Sequence, residues 1–363
     1  MNARTDGIIR VGILSWAHIH AEFRAKALKE IPQARVVAIA DDDAARGQDA
    51  ARRFEADLHS DWRELLARDD IDVVLIESEN CRHAEQAIAA ARAGKDIFCE
   101  KPMATNLADA DRMVAEARRA GVELTVAFVS RFGREADRAR QFVDSGILGT
   151  ILTARAFVGL AGIEEIGCPP AMARWMEDPR AGGGGAWIDE GSHAVDLMRW
   201  LVGEIHSISA VTSNGAKKDL AVEDSAAALL RFRNGAIGEV NASWSLAIDI
   251  GMRNTLELYG TDGTMFLEMT SRSPKVEVYG STAAAAGPGW IRPHIVPAVT
   301  EPHDYSSWPP HVHHYKREIS SYVDRYLAGK KPYGPTGEDG RAVVQVVDAG
   351  YESARTGATV VLS

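Results

Sequence analysis

Over the first third of the chain, apolar positions follow two alternating rhythms. Residues 8–14 (IIRVGIL), 35–40 (RVVAIA), 72–76 (DVVLI), 95–99 and 123–128 (ELTVAF) are short, β-rich apolar runs. Most are continuous, as in strands covered on both faces. Between them, HAEFRAKALKEI, an Ala- and Arg-rich stretch to about Phe54, HAEQAIAAARA (83–93) and the run from Asn106 to Gly121 carry apolar residues at helical spacing. Pro32 stops the first of these, and Gly94 and Gly121 stand just past the ends of two others. Asn106 and Asp109 make a capping-box-like pair. Strands and helices alternating at this spacing predict a parallel, doubly wound sheet.

From about residue 150 the pattern changes. ILTARAFV, SISAVTS, SAAALLRFR, AIGEVNASW, NTLELYG, TMFLEM and KVEVYG are strand-like, and several alternate polar with apolar, as a sheet with one covered face does. Asn234-Gly235 and Asp262-Gly263 sit between such runs as hairpin turns. AGGGGAW precedes a helix over about 189–202, and further helices are predicted at 313–327 and about 337–356. The Ala-, Pro- and Gly-rich stretch 281–311 reads as a long loop. The fold class is therefore α/β. A dinucleotide-type domain over residues 1–128 precedes an α+β domain over 129–363, built on an open, mainly antiparallel sheet. The C-terminal helix can pack back on the first domain.

Composition narrows the function classes. The net charge of −10, with no basic patch, argues against nucleic acid. An anionic cofactor is still possible, because backbone N–H groups can hold it. Three cysteines (Cys81, Cys99, Cys168) imply no disulfide framework. The polar start MNARTDGIIR is unlike a signal peptide, and no apolar run nears the ~20 residues of a membrane helix. A cytoplasmic protein without a membrane partner is expected.

The richest stretch for chemistry is IFCEKPMATNLADAD, 97–111. Open α/β sheets bind ligands at the carboxyl ends of their strands, and Lys101 stands at such an end. Pro102 removes a backbone donor and turns Lys101 away from helical conformation, so the strand stops there. The turn after the first strand is abnormal. A dinucleotide fold wants G-x-G-x-x-G, and here Ser15-Trp16-Ala17-His18-Ile19-His20 has no glycine at any of the three places. Ser15 and Ala17 are small enough for a pyrophosphate to approach, whereas His20 is bulky. Alone, the loop reads better as a turn without ligand. Asp41, about 26 residues on, stands where an acidic residue takes the adenosine ribose. With Asp42 and Asp43 following and no arginine before Arg46, a 2′-phosphate is disfavoured and NAD is preferred to NADP. The three aspartates can also simply cap the following helix, and for Asp43 that is the better reading.

In the second domain, GGGGAWIDEGSHAVDLMRW carries Asp189, His193 and Asp196. Asp189 and His193 are four apart and share a helix face, which is the equipment of a general acid/base or of a satisfied structural histidine. Arg131, with Phe132, follows the fifth strand as a substrate or nicotinamide-side ligand, or as a helix-capping surface arginine. Trp175 reads as a sugar-facing wall or as core. His303, His311, His313 and His314 lack a metal-ligand spacing, so no metal is expected, and His313 is instead a candidate substrate contact.

Taken together, AGKDIFCEKPMATN, the SEN–RH run at 78–83, GGGGAWIDEGSHAVDLMRWLVG, VEDSAAALLRFRNGA, LELYGTDGT and GEDGRAVVQVVDAGYESARTG resemble the Gfo/Idh/MocA family, over most of the chain. The resemblance implies a Rossmann domain plus an open-sheet domain, NAD(P) binding, oxidation of a secondary hydroxyl of a sugar, polyol or sugar derivative, and a homodimer or homotetramer. It places the catalytic set on Lys101, Asp189 and His193, in a cleft between the domains, with Pro102 as the family's often cis proline. Cofactor contacts fall on Leu14, Ser15, Ala17, His18, Ile19, Asp41, Ser78, Asn80, His83, Glu100, Lys101 and Arg131. The chain departs at the glycine loop and at Glu79, where the family often has proline. Two alternatives follow: an enzyme that processes glycosides or sugars with tightly bound, recycled NAD, and a non-catalytic ligand sensor with weakened dinucleotide binding.

Overall fold

The computed structural model describes residues 7–248, 252–269, 275–280 and 312–362. His303, His311 and the expected loop at 281–311 lie outside the described residues. The strands of the first part are β1 (Ile9–Leu14), β2 (Ala34–Ala40), β3 (Asp57–His59), β4 (Val73–Ile76), β5 (Asp96–Cys99) and β6 (Leu124–Val126). Its helices are α1 (His20–Lys29), α2 (Ala44–Phe54), α3 (Trp62–Leu66), α4 (His83–Arg92) and α5 (Leu107–Ala120). Later come α6 (Arg134–Asp144), α7 (Pro170–Met176), α8 (Ser192–Leu201), α9 (Val312–Leu327) and α10 (Gly337–Thr356). The chain divides into two compact units. The first holds residues up to Val129 together with Cys168–Gly184 and His314–Val344; the second holds Ser130–Gly167, Gly185–His313 and Gln345 onward.

In the first unit all strands are parallel, in the order β3-β2-β1-β4-β5-β6. The strand order reverses between β1 and β4, and that reversal creates a ligand-binding crevice at the carboxyl ends of such sheets. Local chemistry explains the element ends. Asp43 accepts from the N–H groups of Ala45 and Arg46 and so caps α2. Asn106 Oδ1 accepts from Asp109 N–H while its amide donates back to Asp109, and Gly121 closes α5 at φ 70°. The core joins Ile9, Val11 and Ile13 of β1, Ala21, Ala25 and Leu28 of α1, and Ile319, Tyr322 and Val323 of α9. β3 and α3 were not anticipated from the sequence; three and five residues are too few to show a period.

The second unit carries β7 (Ile151–Leu160), β8 (Ile205–Ser213), β9 (Ser225–Phe232), β10 (Ile237–Ser243), β11 (Met252–Gly260), β12 (Gly263–Glu268), β13 (Lys275–Gly280) and β14 (Val360–Val361). Their order is β13-β12-β11-β7-β10-β9-β8-β14, with only β7 and β10 parallel. Both hairpin expectations hold: Asn234-Gly235 joins β9 to β10 and Asp262-Gly263 joins β11 to β12. One face is buried through Ala154, Ala156, Val158, Ala228, Leu230 and Leu256, and the other exposes Leu229, Arg155 and Arg231. Among the described residues no helix is long and apolar enough to cross a membrane.

Candidate active site

The glycine-free turn keeps the backbone shape that a glycine would give. Ser15, at the first glycine place, has φ 71°, the left-handed region. A side chain there costs roughly 1–2 kcal/mol. The turn is held by Ser15 N–H to Ala40 O (2.7 Å), Trp16 N–H to Asp41 Oδ2 (2.6 Å) and His18 N–H to Glu77 O (3.0 Å). Ser15 Oγ accepts from Ala17 N–H at 3.2 Å. Helix α7 lies against the same turn: Ile19 N–H reaches Met172 Sδ, Trp175 Nε1 donates to Ala17 O at 3.4 Å, and the Trp175 and His18 rings are 5.9 Å apart. Trp175 therefore braces the loop, a role the sequence did not suggest.

Asp41 ends β2 as expected, but its oxygens are fully engaged. They accept from Trp16 N–H, Asp43 N–H and both arms of the Arg46 guanidinium, at 2.6–2.9 Å. Arg82 pairs with Asp42 at 2.7 Å. The expected repulsion of a 2′-phosphate by bare aspartates is thus softened, because Arg46 and Arg82 fold back on them. Beside these groups lies an open pocket lined by Ser15, Asp41, Asp61, Arg63, Arg82 and Gln86 among others.

On the other side of β1, the Glu100-Lys101-Pro102 turn follows β5. Lys101 is 4% exposed, and its bond to Pro102 is cis. Glu100 belongs to a buried ionic cluster that sequence reading missed. Arg24 is fully buried and donates to both oxygens of Glu77 (2.9 and 3.0 Å), to Glu100 and to Glu318 (3.0 Å). His20 Nδ1 meets Glu100 Oε2 at 3.1 Å, and Tyr315 Oη meets His20 Nε2 at 2.5 Å. The bulky residue at the third glycine place is thus tied to the lysine turn. A signal was present: Ala21, Arg24, Ala25 and Leu28 form the core-facing stripe of α1, and an arginine in such a stripe demands buried partners.

One guanidinium facing three carboxylates cannot leave all of them charged at neutral pH. Burial pushes Glu77 up to about 8 and Glu318 up to about 7. Burial acts on Glu100 too, but Arg24, His20 and His18 overcome it and hold that carboxyl well below the usual range. Burial lowers His18 strongly and His20 as well, so both imidazoles are neutral near pH 7.

The other expected cofactor contacts are placed as follows. Leu14 is buried at the end of β1. Ser78 Oγ donates to Gln86, Asn80 Nδ2 to Gly182 O, and His83 lies between Pro102 O (2.9 Å) and Ser78 O (3.1 Å). Glu79, at φ −60° and ψ 142°, has a backbone that proline could also adopt.

In the second unit the expected helix begins as a π-turn, Trp187–Gly191, before α8. Asp189 sits in that turn and accepts from Trp244 Nε1 at 2.9 Å. His193, on α8, has Ser130 Oγ 3.4 Å from Nδ1. Both are buried. The glycine run serves a close approach: a Cβ at Gly185 would strike the Glu223 carbonyl, and Glu223 Oε1 accepts from the N–H groups of Gly185 and Trp187. Arg131 is no surface residue; its guanidinium forks onto Asp196 at 2.8 and 2.5 Å, 5.7 Å from the Trp200 ring. His313 stands at the start of α9, half-buried. Asp189, His193 and Arg131 belong to the second unit, Lys101 and the loop to the first.

Comparison with known proteins agrees with this architecture. The family description "Oxidoreductase family, NAD-binding Rossmann fold" matches residues 9–128, and "GFO/IDH/MocA C-terminal domain" matches 136–266. Levoglucosan dehydrogenase of Pseudarthrobacter phenanthrenivorans is 31% identical over 279 residues, covering 70% of each chain. Myo-inositol 2-dehydrogenase of Thermotoga maritima is 29% identical over 265 residues, covering 72% of this chain and 75% of that one. The solved structure of levoglucosan dehydrogenase with NADH and L-sorbose aligns at TM-score 0.84 and 26% identity, covering 98% of this chain and 99% of that one. The WlbA dehydrogenase of Bordetella pertussis with NADH and UDP-GlcNAcA aligns at TM-score 0.82 and 25% identity, covering 99% of both.

Proposed function

This chain belongs to the GFO/IDH/MocA family of oxidoreductases, and on that premise we propose that it is an NAD-dependent dehydrogenase that oxidises a secondary hydroxyl of a sugar, polyol or sugar derivative. The observation that carries this reading is Lys101, a lysine buried at the carboxyl edge of a Rossmann sheet, beside a turn that keeps its left-handed first residue. The residues present fit a dinucleotide. Ser15, Ala17, His18 and Ile19 form the turn at the strand-order reversal, and Asp41 borders an open pocket. Bound NAD would supply the hydride acceptor.

The chain's own groups do the rest. His193 removes the hydroxyl proton. Lys101 stabilises the developing alkoxide, where a fixed charge in a water-poor site acts most strongly. Asp189, anchored by Trp244, orients substrate and supports the imidazolium. Ser130 Oγ, 3.4 Å from Nδ1, helps to set the His193 ring. Glu100 holds Lys101's turn in place from the buried cluster. Arg131 and Trp175 are already engaged in holding the protein together, so a substrate role for either needs a change of partner. A homodimer or homotetramer through the half-exposed sheet face is part of the same reading.

The test is reduction of NAD in the presence of polyols, hexoses, anhydrosugars and glycosides. Lys101→Ala should lower kcat by about 100-fold or more on any substrate found. Unchanged kcat would reject the assignment of Lys101. A profile flat from pH 5 to 9 would reject His193 as the base. One observation favours a second cofactor reading: the Arg46 fork on Asp41 can swing to a 2′-phosphate, so NADP belongs in the same assay.

A further inference from the structure

We infer that His18, His20 and Glu100 form a binding site for a divalent transition-metal ion, apart from the hydride-transfer set. Each offers one donor atom, and the three atoms lie within 4.8 Å of one another. All three residues belong to the first unit and are buried or half-buried. Metal–ligand bonds of about 2.0–2.1 Å in a tetrahedral site place donor atoms about 3.3 Å apart. His20 Nδ1 and Glu100 Oε2 are already 3.1 Å apart. Only His18 has to close in, by about 1.5 Å at most on that geometry, a movement that a side-chain rotation supplies.

A separate observation also points to a ligand. Glu100 Oε1 is buried and has no hydrogen-bond partner. A buried carboxylate oxygen left in that state carries its full desolvation penalty, and a cation held by both Glu100 oxygens removes it.

The surroundings are those of a metal site. Metal-bound histidines use their second nitrogen to hold an outer partner, which fixes ring and tautomer. Tyr315 Oη stands 2.5 Å from His20 Nε2 and can accept a hydrogen bond from Nε2–H, the tautomer that leaves the Nδ1 lone pair for a metal. Arg24 holds the other partner, Glu100, through Oε2.

Two imidazoles and one carboxylate select zinc, manganese, iron or cobalt over calcium and magnesium, which prefer all-oxygen sets. Three protein ligands leave at least one position open, for water or an oxygen of a bound molecule. The departure from glycine at the end of the first turn gains a reason: His20 stands there as a ligand.

Metal binding is tested separately from the dehydrogenase activity, because the readout is bound metal and not turnover. The full chain is purified without metal-affinity resin, stripped with chelator and titrated with Co2+, following the visible ligand-field bands. One equivalent per chain is expected, displaced by Zn2+. His18→Ala should weaken Co2+ binding by more than about 100-fold, beyond the loss of an outer partner. His20→Ala and Glu100→Gln should do the same but disturb the buried ionic cluster, so His18→Ala, checked for a native circular dichroism spectrum, is the deciding variant. Cobalt taken up well below one equivalent, or bound equally by His18→Ala and the parent, overturns the site.

Discussion

Two turns at the same sheet edge were solved in opposite ways. After β5, Glu100-Lys101-Pro102 keeps the family's residues, and its place at the strand end can be read from the sequence. After β1, Ser15–His20 keeps none of the family's glycines, yet its first residue keeps the glycine conformation at φ 71°. The difference shows that a motif can be lost as residues while surviving as geometry. What the glycines gave by lacking side chains is here imposed by neighbours: Asp41 on Trp16, Glu77 on His18, and Met172 and Trp175 of α7. The two turns are also joined, His20 to Glu100, through a cluster centred on Arg24.

That joint is the place to strike hardest. Arg24→Met leaves three buried carboxylates without their cation, and unfolding in urea should show a loss of about 3–5 kcal/mol. A loss below about 1 kcal/mol would mean that the two turns are not coupled through it. His20→Gly restores the third glycine by sequence but deprives Glu100 and Tyr315 of a partner. It should cost about 1–3 kcal/mol, where a merely degenerate motif would gain stability on repair.

Ser15 offers a finer contrast. Ser15→Gly should be within about 1 kcal/mol of the parent on thermal melting, since relief of strain is offset by chain entropy and the lost Oγ bond. Ser15→Val should cost roughly 1–3 kcal/mol, because a β-branched residue is out of place in that region. Equal melting temperatures for the two would contradict the left-handed turn.

The smallest effect is a pH slope. Glu77 and Glu318 carry folded values of about 8 and about 7, raised above those of the unfolded chain. The folded state therefore binds more protons, and stability falls as pH rises through 7 to 8. Below about 6.5 this fall is opposed but not reversed at once, because His18 and His20 are held neutral when folded and take protons when unfolded. The decline is expected to be steepest through pH 7 to 8, and Glu77→Gln should flatten it. Stability still rising between pH 7 and 9 would count against a protonated Glu77.

What was legible in the sequence was local. The strand–helix alternation, the Asn106 cap, the Gly121 stop and both hairpin turns follow from short-range rules, and all appear in the fold. What was not legible joins residues far apart in the chain. Glu318 reaches Arg24 across 294 positions, Met172 reaches Ile19 across 153, and Trp244 reaches Asp189 across 55. The π-turn that carries Asp189 owes its start to Glu223, on a different segment. Even so, Arg24 and Glu318 both sit in apolar stripes, at Ala21-Arg24-Ala25-Leu28 and Tyr315-Glu318-Ile319-Tyr322, so each half of the cluster left a trace.

The most direct test of the central claim, that a glycine-free turn still serves a dinucleotide beside Lys101, is a titration of the protein with NADH followed by nicotinamide fluorescence and calorimetry. Saturable binding at one NADH per chain is predicted, weakened by Ser15→Val and retained in Lys101→Ala. No binding at millimolar NADH would contradict the claim and would leave a fold that has kept its lysine turn but lost its cofactor.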